Sequence, residues 1–153
     1  MSEQENQVSF FRFEDLRIYD KAMDYISWLY STTSTFSSEN KECVVDMFLK
    51  ASHSIALHLA EGSSRNKAQF VYFLKMAKSS VRECVVYTEI ACKAGMMNDD
   101  QREYSRNQLM ELTKMIGSLI ASLQRNTARM AHSDDYEDMN ENDNDNDNDN
   151  DIM

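Results

Sequence analysis

The chain's strongest constraint is a helical spacing of apolar residues that runs through four long segments. In each segment the apolar positions recur at alternating intervals of three and four, which places them on one face of an α-helix. The 153 residues include no Pro and only three Gly. This is too few turn-forming residues for the many turns of an all-β fold. The sequence therefore predicts an all-α protein.

The four predicted helices cover about residues 14–35, 39–62, 66–94 and 98–126. Gly62 and Gly95 are expected to end the second and third helices, and Asn98 to Gln101 has the pattern of a capping box. Because the connections are short, the helices are predicted to form an antiparallel, up-down-up-down four-helix bundle. The expected core-facing residues are Leu16, Tyr19, Met23, Ile26 and Tyr30; Val45, Phe48, Ser52, Ile55 and Leu59; Phe70, Phe73, Ala77, Ser80, Cys84, Tyr87 and Ala91; and Leu109, Leu112, Ile116, Leu119 and Leu123.

The formal net charge of -10 is concentrated at the C-terminus. Residues 133–153 hold ten of the 26 acids and no Lys or Arg, so the rest of the chain is formally neutral. Alternating Asn and Asp predict a disordered acidic tail over residues 127–153, after a flexible segment, 1–12, and the bundle, 13–126. The tail lacks the Gly and bidentate Glu of an EF-hand loop, which favours simple solvation over cation binding.

The cysteines and the N-terminus favour a cytoplasmic location. Cys43, Cys84 and Cys92 lack a Cys-x-x-Cys spacing, so they are expected to be reduced and buried. The first residues are polar and carry no apolar signal core. No stretch approaches the roughly 18 apolar residues of a membrane span.

The helix–turn–helix around Gly62 carries a family resemblance, together with matching residues elsewhere. The chain resembles the four-helix bundle family encoded in intervening sequences of bacterial 23S ribosomal RNA genes, the S23 family, and looks similar to accessory variability proteins of diversity-generating retroelements. The matching residues are Phe13-Glu14-Asp15-Leu16, Ser54-Ile55, Leu59-Ala60-Glu61-Gly62, Arg65, Phe70, Phe73-Leu74, Ala77, Ser79, Glu83 and Ala91.

The resemblance implies a bundle that assembles into a ring, typically a homopentamer, with no known enzymatic activity. In the retroelement branch it further implies binding to a reverse transcriptase and to nucleic acid through a basic surface. Within the turn motif of Ala60, Glu61, Gly62 and Arg65, an ion pair between Glu61 and Arg65 is the structural interpretation, and partner binding is the alternative.

Basic residues of the third helix are the candidate contacts to nucleic acid or another partner. Lys75, Lys78, Arg82 and Lys93 fall on one narrow face at 100° per residue, where a phosphate backbone could lie. Glu83 interrupts this basic field, as does Glu89, so an ordinary solvated face is the other interpretation. The full candidate set is Arg65, Lys67, Lys75, Lys78, Arg82 and Lys93.

Apolar residues beyond the core-facing positions predict a second buried interface and hence self-association. The alternative is a bundle in which each helix needs a broad stripe to touch two neighbours. The residues concerned are Ile18, Trp28, Leu29, Val71, Tyr72, Leu74, Val81, Val85 and Val86.

No residue pattern predicts an enzyme, a metal site, a cofactor or a small-molecule substrate. His53 and His58 lie about 140° apart on a helix and cannot share an ion by helical register alone. Inward Glu-x-x-His pairs and Gly-rich phosphate loops are lacking. The favoured function is a noncatalytic oligomeric scaffold, with the ring form that the resemblance implies, that binds RNA, a reverse transcriptase or another protein. The alternative is a structural or regulatory protein-interaction bundle with no nucleic-acid role.

Overall fold

Four helices account for nearly all of the part of the chain that the structure describes. The structure is a computed structural model and describes residues 9–37, 39 and 41–142. A short 3-10 turn at Arg12–Asp15 precedes α1 (Arg17–Thr33), α2 (Lys41–Ser63), α3 (Lys67–Lys93) and α4 (Asp99–Asn142). Since these residues include no strand, the predicted all-α class is confirmed.

The helices form the predicted antiparallel four-helix bundle. Each helix packs against its neighbour in sequence, and α1 also packs against α4. The helices at opposite corners, α1 with α3 and α2 with α4, make no close backbone approach. The largest fully buried side chains include Tyr25, Phe48, Ile55, Leu74 and Leu112, contributed by all four helices.

Local capping signals place the ends of α3 and the start of α4 as the sequence predicts. The Asn66 side chain accepts a hydrogen bond from the Gln69 amide at 2.9 Å. Gly95 follows α3 with a φ of +75°, the left-handed conformation that suits glycine. At the start of α4, the backbone N–H of Gln101 donates to Asn98 Oδ1 at 2.8 Å, and the backbone N–H of Asn98 donates to Gln101 Oε1 at 3.0 Å. The predicted capping box is therefore confirmed.

Gly62 has a different role from the predicted left-handed stop. It lies inside α2, which continues through Ser63, and it does not have a positive φ. A Cβ atom at Gly62 would lie 2.6 Å from Cβ of Phe73 and 2.9 Å from Cδ2 of Phe70. The glycine is needed because α3 approaches α2 too closely to leave room for a side chain.

The buried face of α1 is rotated from the predicted one. Met23 is 42% exposed and Tyr30 is 50% exposed, so both were wrongly assigned to the core. The helix buries a neighbouring series with the same spacing, which consists of Ile18, Ala22, Tyr25, Ile26 and Leu29. Leu16 lies before α1 in extended conformation, so this helix also begins later than predicted.

The fourth helix is longer than predicted, since it ends at Asn142 rather than near Asn126. Burial does stop where the sequence indicates, because Leu123 is partly buried and the three residues after it are exposed. Without Gly or Pro after Gly117, no residue breaks the helix beyond the bundle. The predictions for residues 1–8 and 143–153 lie outside the described residues.

Three buried hydroxyl groups connect opposite corners of the bundle. The Ser105 hydroxyl of α4 lies 2.8 Å from the Tyr25 hydroxyl of α1 and 2.8 Å from Thr88 Oγ1 of α3. Thr88 donates its own proton to the Cys84 carbonyl. Ser105 must therefore donate to Thr88 and accept from Tyr25. Burial raises the pKa of Tyr25 above its ordinary value, which keeps this donor protonated.

We expect Gly62→Ala to destabilise the protein by about 1–3 kcal/mol. The atom that the added methyl group would meet is the Cβ of Phe73, which cannot move away unless the backbone of α3 moves as well. Gly117→Ala is the matched control, since nothing lies within 4 Å of its added Cβ. That substitution should stabilise α4 by about 0.5–1 kcal/mol. Chemical denaturation measures both values, and equal effects would contradict the close-approach explanation.

Ser105→Ala should cost about 1–3 kcal/mol, because it leaves the buried Tyr25 donor without an acceptor. Adding Tyr25→Phe removes that donor, so the double variant should be less destabilised than the sum of the two single variants. The measurement is a double-mutant cycle by chemical denaturation. Strict additivity would show that the hydroxyl groups do not act as a chain.

Candidate interaction surface

The predicted basic residues of α3 lie along the side of this helix that faces α4. At 100° per residue, Lys67, Lys75, Lys78, Arg82 and Lys93 all fall within about 40° of the direction of Glu89. Glu89 itself reaches α4, where it binds two arginines. Four of the five basic residues are exposed and Lys78 is half-buried. They lie in one row beside the α3–α4 junction.

Two arginines of α4 extend this row, and the sequence prediction missed them. Arg102 Nε donates to the two carboxylate oxygens of Glu89 at 2.9 and 3.0 Å, and Arg106 Nη1 donates to Oε1 at 2.8 Å. Their spacing of four on α4 was visible in the sequence, but their partner on α3 required the register between helices. We call the combined surface the basic edge, which consists of Lys67, Lys75, Lys78, Arg82, Lys93, Arg102 and Arg106.

The acids that interrupt the basic field in the sequence do not divide it in space. Glu83 lies about 120° around α3 from Glu89 and so points away from the basic edge. Glu89 is paired with two guanidinium groups, and the hydrogen bond from Arg102 is the largest cause of its lowered pKa. Asp99 lies at the Arg102 end, where its Oδ1 is 3.8 Å from the Cys92 sulfur. Among the described residues, no ion pair joins Lys67, Lys75, Lys78, Arg82 or Lys93 to a carboxylate.

The turn motif is held together by contacts within the turn. Arg65 Nε donates to Glu61 Oε1 at 3.1 Å, and the Nη2 atom contacts the same oxygen. The Arg65 guanidinium also lies 5.5 Å from the centre of the Phe73 ring, which is a cation–π distance. Glu61, Gly62 and Arg65 thus all contribute to the α2–α3 connection, while Ala60 is half-buried on α2. This geometry supports the structural interpretation of the motif.

The outer faces of α2 and α3 expose apolar side chains. We call Met47, Leu57, Tyr72, Val86 and Ile90 the outer apolar stripe, and each is at least 42% exposed. An open groove of about 360 Å³ on α3 includes two of them, Val86 and Ile90. The exposed Leu, Ile and Val side chains among the described residues all belong to this stripe.

The core accounts for part of the apolar excess that predicted a second interface. The side chains of Ile18, Leu29, Leu74 and Val81 are buried within the bundle. Trp28, Val71 and Val85 are half-buried. Only Tyr72 and Val86 of that set remain exposed. Packing within the bundle therefore accounts for the other seven residues, and these two lie on a face that no helix of the bundle covers.

Other candidate chemistry is sparse in the described residues. No group of three His, Cys, Asp or Glu side chains in that part of the chain could hold a metal ion. His53 Nε2 lies 2.9 Å from the Tyr30 hydroxyl, and His58 packs near the Phe73 ring. Cys84 is buried, but Cys43 is exposed, which corrects the expectation that all cysteines are buried. None of the described helices combines the length and apolar character of a bilayer span.

Comparison with known proteins identifies the family. Residues 14–118, which cover α1, α2, α3 and most of the buried part of α4, match the family described as 23S rRNA-intervening sequence protein. The chain belongs to this family. The matched region contains the turn motif and the complete basic edge.

A solved structure from the same family shares the fold. It is a protein of unknown function from the S23 ribosomal protein family of Bacteroides thetaiotaomicron. The two chains are 21% identical, with a TM-score of 0.63 over 68% of this chain and 95% of that one. At this identity the similarity establishes the four-helix fold and nothing about a partner. No protein of curated function matches the chain.

We expect Glu89→Gln to lower the melting temperature near neutral pH and to have a smaller effect in acid. Because folding lowers the Glu89 pKa from its ordinary 4.5, its ion pairs stabilise the protein above that pH and are lost as the pH falls through the lowered value. Thermal unfolding of both proteins at about pH 7 and about pH 3 tests this. A difference that grows in acid would contradict the assignment.

Proposed function

We propose that the protein is a noncatalytic, cytoplasmic scaffold that self-associates and binds RNA through the phosphates. The observation that carries this proposal is the basic edge, where seven Lys and Arg residues from two helices converge on one side of the bundle. The acid in its middle, Glu89, is already paired with Arg102 and Arg106. A body that is formally neutral overall therefore concentrates positive charge where a polyanion can lie along it.

The chemistry of the edge suits a sugar-phosphate backbone. Guanidinium and ammonium groups bind phosphate oxygens and release counterions, which supplies affinity without reading the bases. Tyr72, the exposed aromatic residue of α3, lies about 100° around the helix from Glu89, away from the edge. The edge can therefore bind phosphates through its charges, but it lacks the exposed aromatic side chains on which proteins that bind single-stranded nucleic acids stack the bases.

The outer apolar stripe supports packing between copies of the chain. Complete burial of a Leu or Val side chain from water gains about 1.5–3 kcal/mol, so Leu57 and Val86, which are 66% and 56% exposed, gain part of this when a second copy covers them. The homopentameric ring implied by the family resemblance would repeat the basic edge around one axis. Several weak phosphate contacts on one RNA then act together, because each later contact is intramolecular.

The test removes three charges from the edge with Lys75→Gln, Lys78→Gln and Arg82→Gln. We expect Kd for a labelled structured RNA to rise by at least about tenfold, and the slope of log Kd against log salt to fall by about 2 to 3. The control variant loses three exposed charges elsewhere, with Arg12→Gln, Arg17→Gln and Lys50→Gln, and should change Kd less than about twofold. Fluorescence anisotropy gives both quantities.

Two outcomes would reject the RNA role. One is the absence of RNA binding by the unmodified protein at low salt, and the other is an equal loss of affinity in the two triple variants. Retention of a reverse transcriptase in a pull-down without any RNA binding would instead favour a protein partner. Light scattering of Leu57→Asp/Val86→Asp separately tests self-association, for which we expect a shift to monomer.

A further inference from the structure

The basic edge has an oppositely charged segment available on its own chain. Between residues 143 and 151, Asp alternates with Asn, which gives five carboxylates and no Lys or Arg. This stretch follows α4 directly, since that helix ends at Asn142. An alternating acidic stretch presents regularly spaced carboxylates, which bind Lys and Arg as the phosphates of a nucleic acid do.

The register between α3 and α4 shows which part of the edge this segment can reach. Thr88 of α3 lies beside Ser105 of α4, and Glu89 lies between Arg102 and Arg106. Because the helices are antiparallel, Lys67 is level with about residue 126 of α4 and Lys75 with about residue 118. At 1.5 Å per residue, the end of α4 is about 24 Å beyond Lys67 and about 36 Å beyond Lys75.

An extended chain covers at most about 3.3–3.6 Å per residue, so Asp151 lies within about 30–32 Å of Asn142. A chain that turns back at Asn142 therefore reaches Lys67, and it reaches Lys75 once the lengths of the two side chains are added. Lys93 is level with about residue 100 and lies about 63 Å from the end of α4, well beyond that reach. The positive end of the α3 helix dipole, next to Lys67, adds to the attraction.

The geometry points to an intramolecular contact in which the Asp-rich segment 143–151 binds the Lys67 and Lys75 end of the basic edge. Lys93, Arg102 and Arg106 at the other end of the edge lie beyond the reach of this segment. This contact follows from charge and reach alone. Its consequence, that the segment competes with RNA for Lys67 and Lys75, rests on the proposed function.

Carbodiimide cross-linking tests the contact without RNA, because it joins a Lys amine to a carboxylate only when the two touch. We expect mass spectrometry to find Lys67 joined to Asp147, Asp149 or Asp151, and Lys75 joined to Asp151, at low salt, with at least a fivefold loss in about 0.5 M salt, where the Debye length is only a few ångströms. Lys93, on the same helix, is the internal control and should form no such link. Mixing isotope-labelled and unlabelled protein separates links within one chain from links between chains.

The contact is overturned if no link forms at low salt, if Lys93 links as often as Lys75, or if links occur only between chains. The competition is tested with a full-length variant in which Asp143, Asp145, Asp147, Asp149 and Asp151 are changed to Asn. We expect it to bind structured RNA about three- to tenfold more tightly at low salt. The gain should disappear when Lys67→Gln and Lys75→Gln are also present.

The two experiments distinguish failure of the intramolecular contact, failure of the competition with RNA and failure of the proposed function. Cross-links at Lys67 and Lys75 together with unchanged RNA affinity would keep the contact and reject the competition. Cross-links in a protein that binds no RNA would reject the proposed function alone. Tighter RNA binding that persists without Lys67 and Lys75 would show general repulsion by the tail and would overturn the competition at this site.

Discussion

The close approach of α2 and α3 at Gly62 is the constraint on which the rest of the bundle depends. A side chain at this position would overlap Phe73 and Phe70, so the absence of one sets the distance between the two helices. Arg65 then closes the connection by binding Glu61 and covering the Phe73 ring. Since α3 also contacts α4, its position against α2 fixes where the basic edge lies.

The fold was predictable wherever the information is local. Asn98 and Gln101 bond each other over three residues, and Gly95 takes a conformation that few other residues tolerate, so both ends could be read from the chain. The buried faces of α2 and α4 followed because each has one dominant apolar series, whereas α3 also buries Leu74 and Val81, which lie outside its predicted series. Helix α1 has two, one through Met23 and one through Tyr25, and spacing alone cannot choose between them. The partner of Tyr25, Ser105, is 80 residues away.

The candidate site was predictable only in part, for the same reason. Helical geometry aligned Lys75, Lys78 and Arg82 without any knowledge of the fold. The arginines of α4 could not be added, because joining them to α3 needs the register between two helices. That register also changes the meaning of Glu89, which looks like an interruption in the sequence and is a bridge in the structure. Charge patterns on single helices therefore underestimate a surface built at a junction.

The length of α4 has a consequence for the symmetry of any ring. The helix leaves the packed body at about Leu123 and continues to Asn142, an extension of about 28 Å. In a closed cyclic assembly, rotation about the axis keeps every subunit in the same orientation. If the bundles lie along that axis, all the extensions project from the same side, and the acidic residues are then concentrated at one end of the particle.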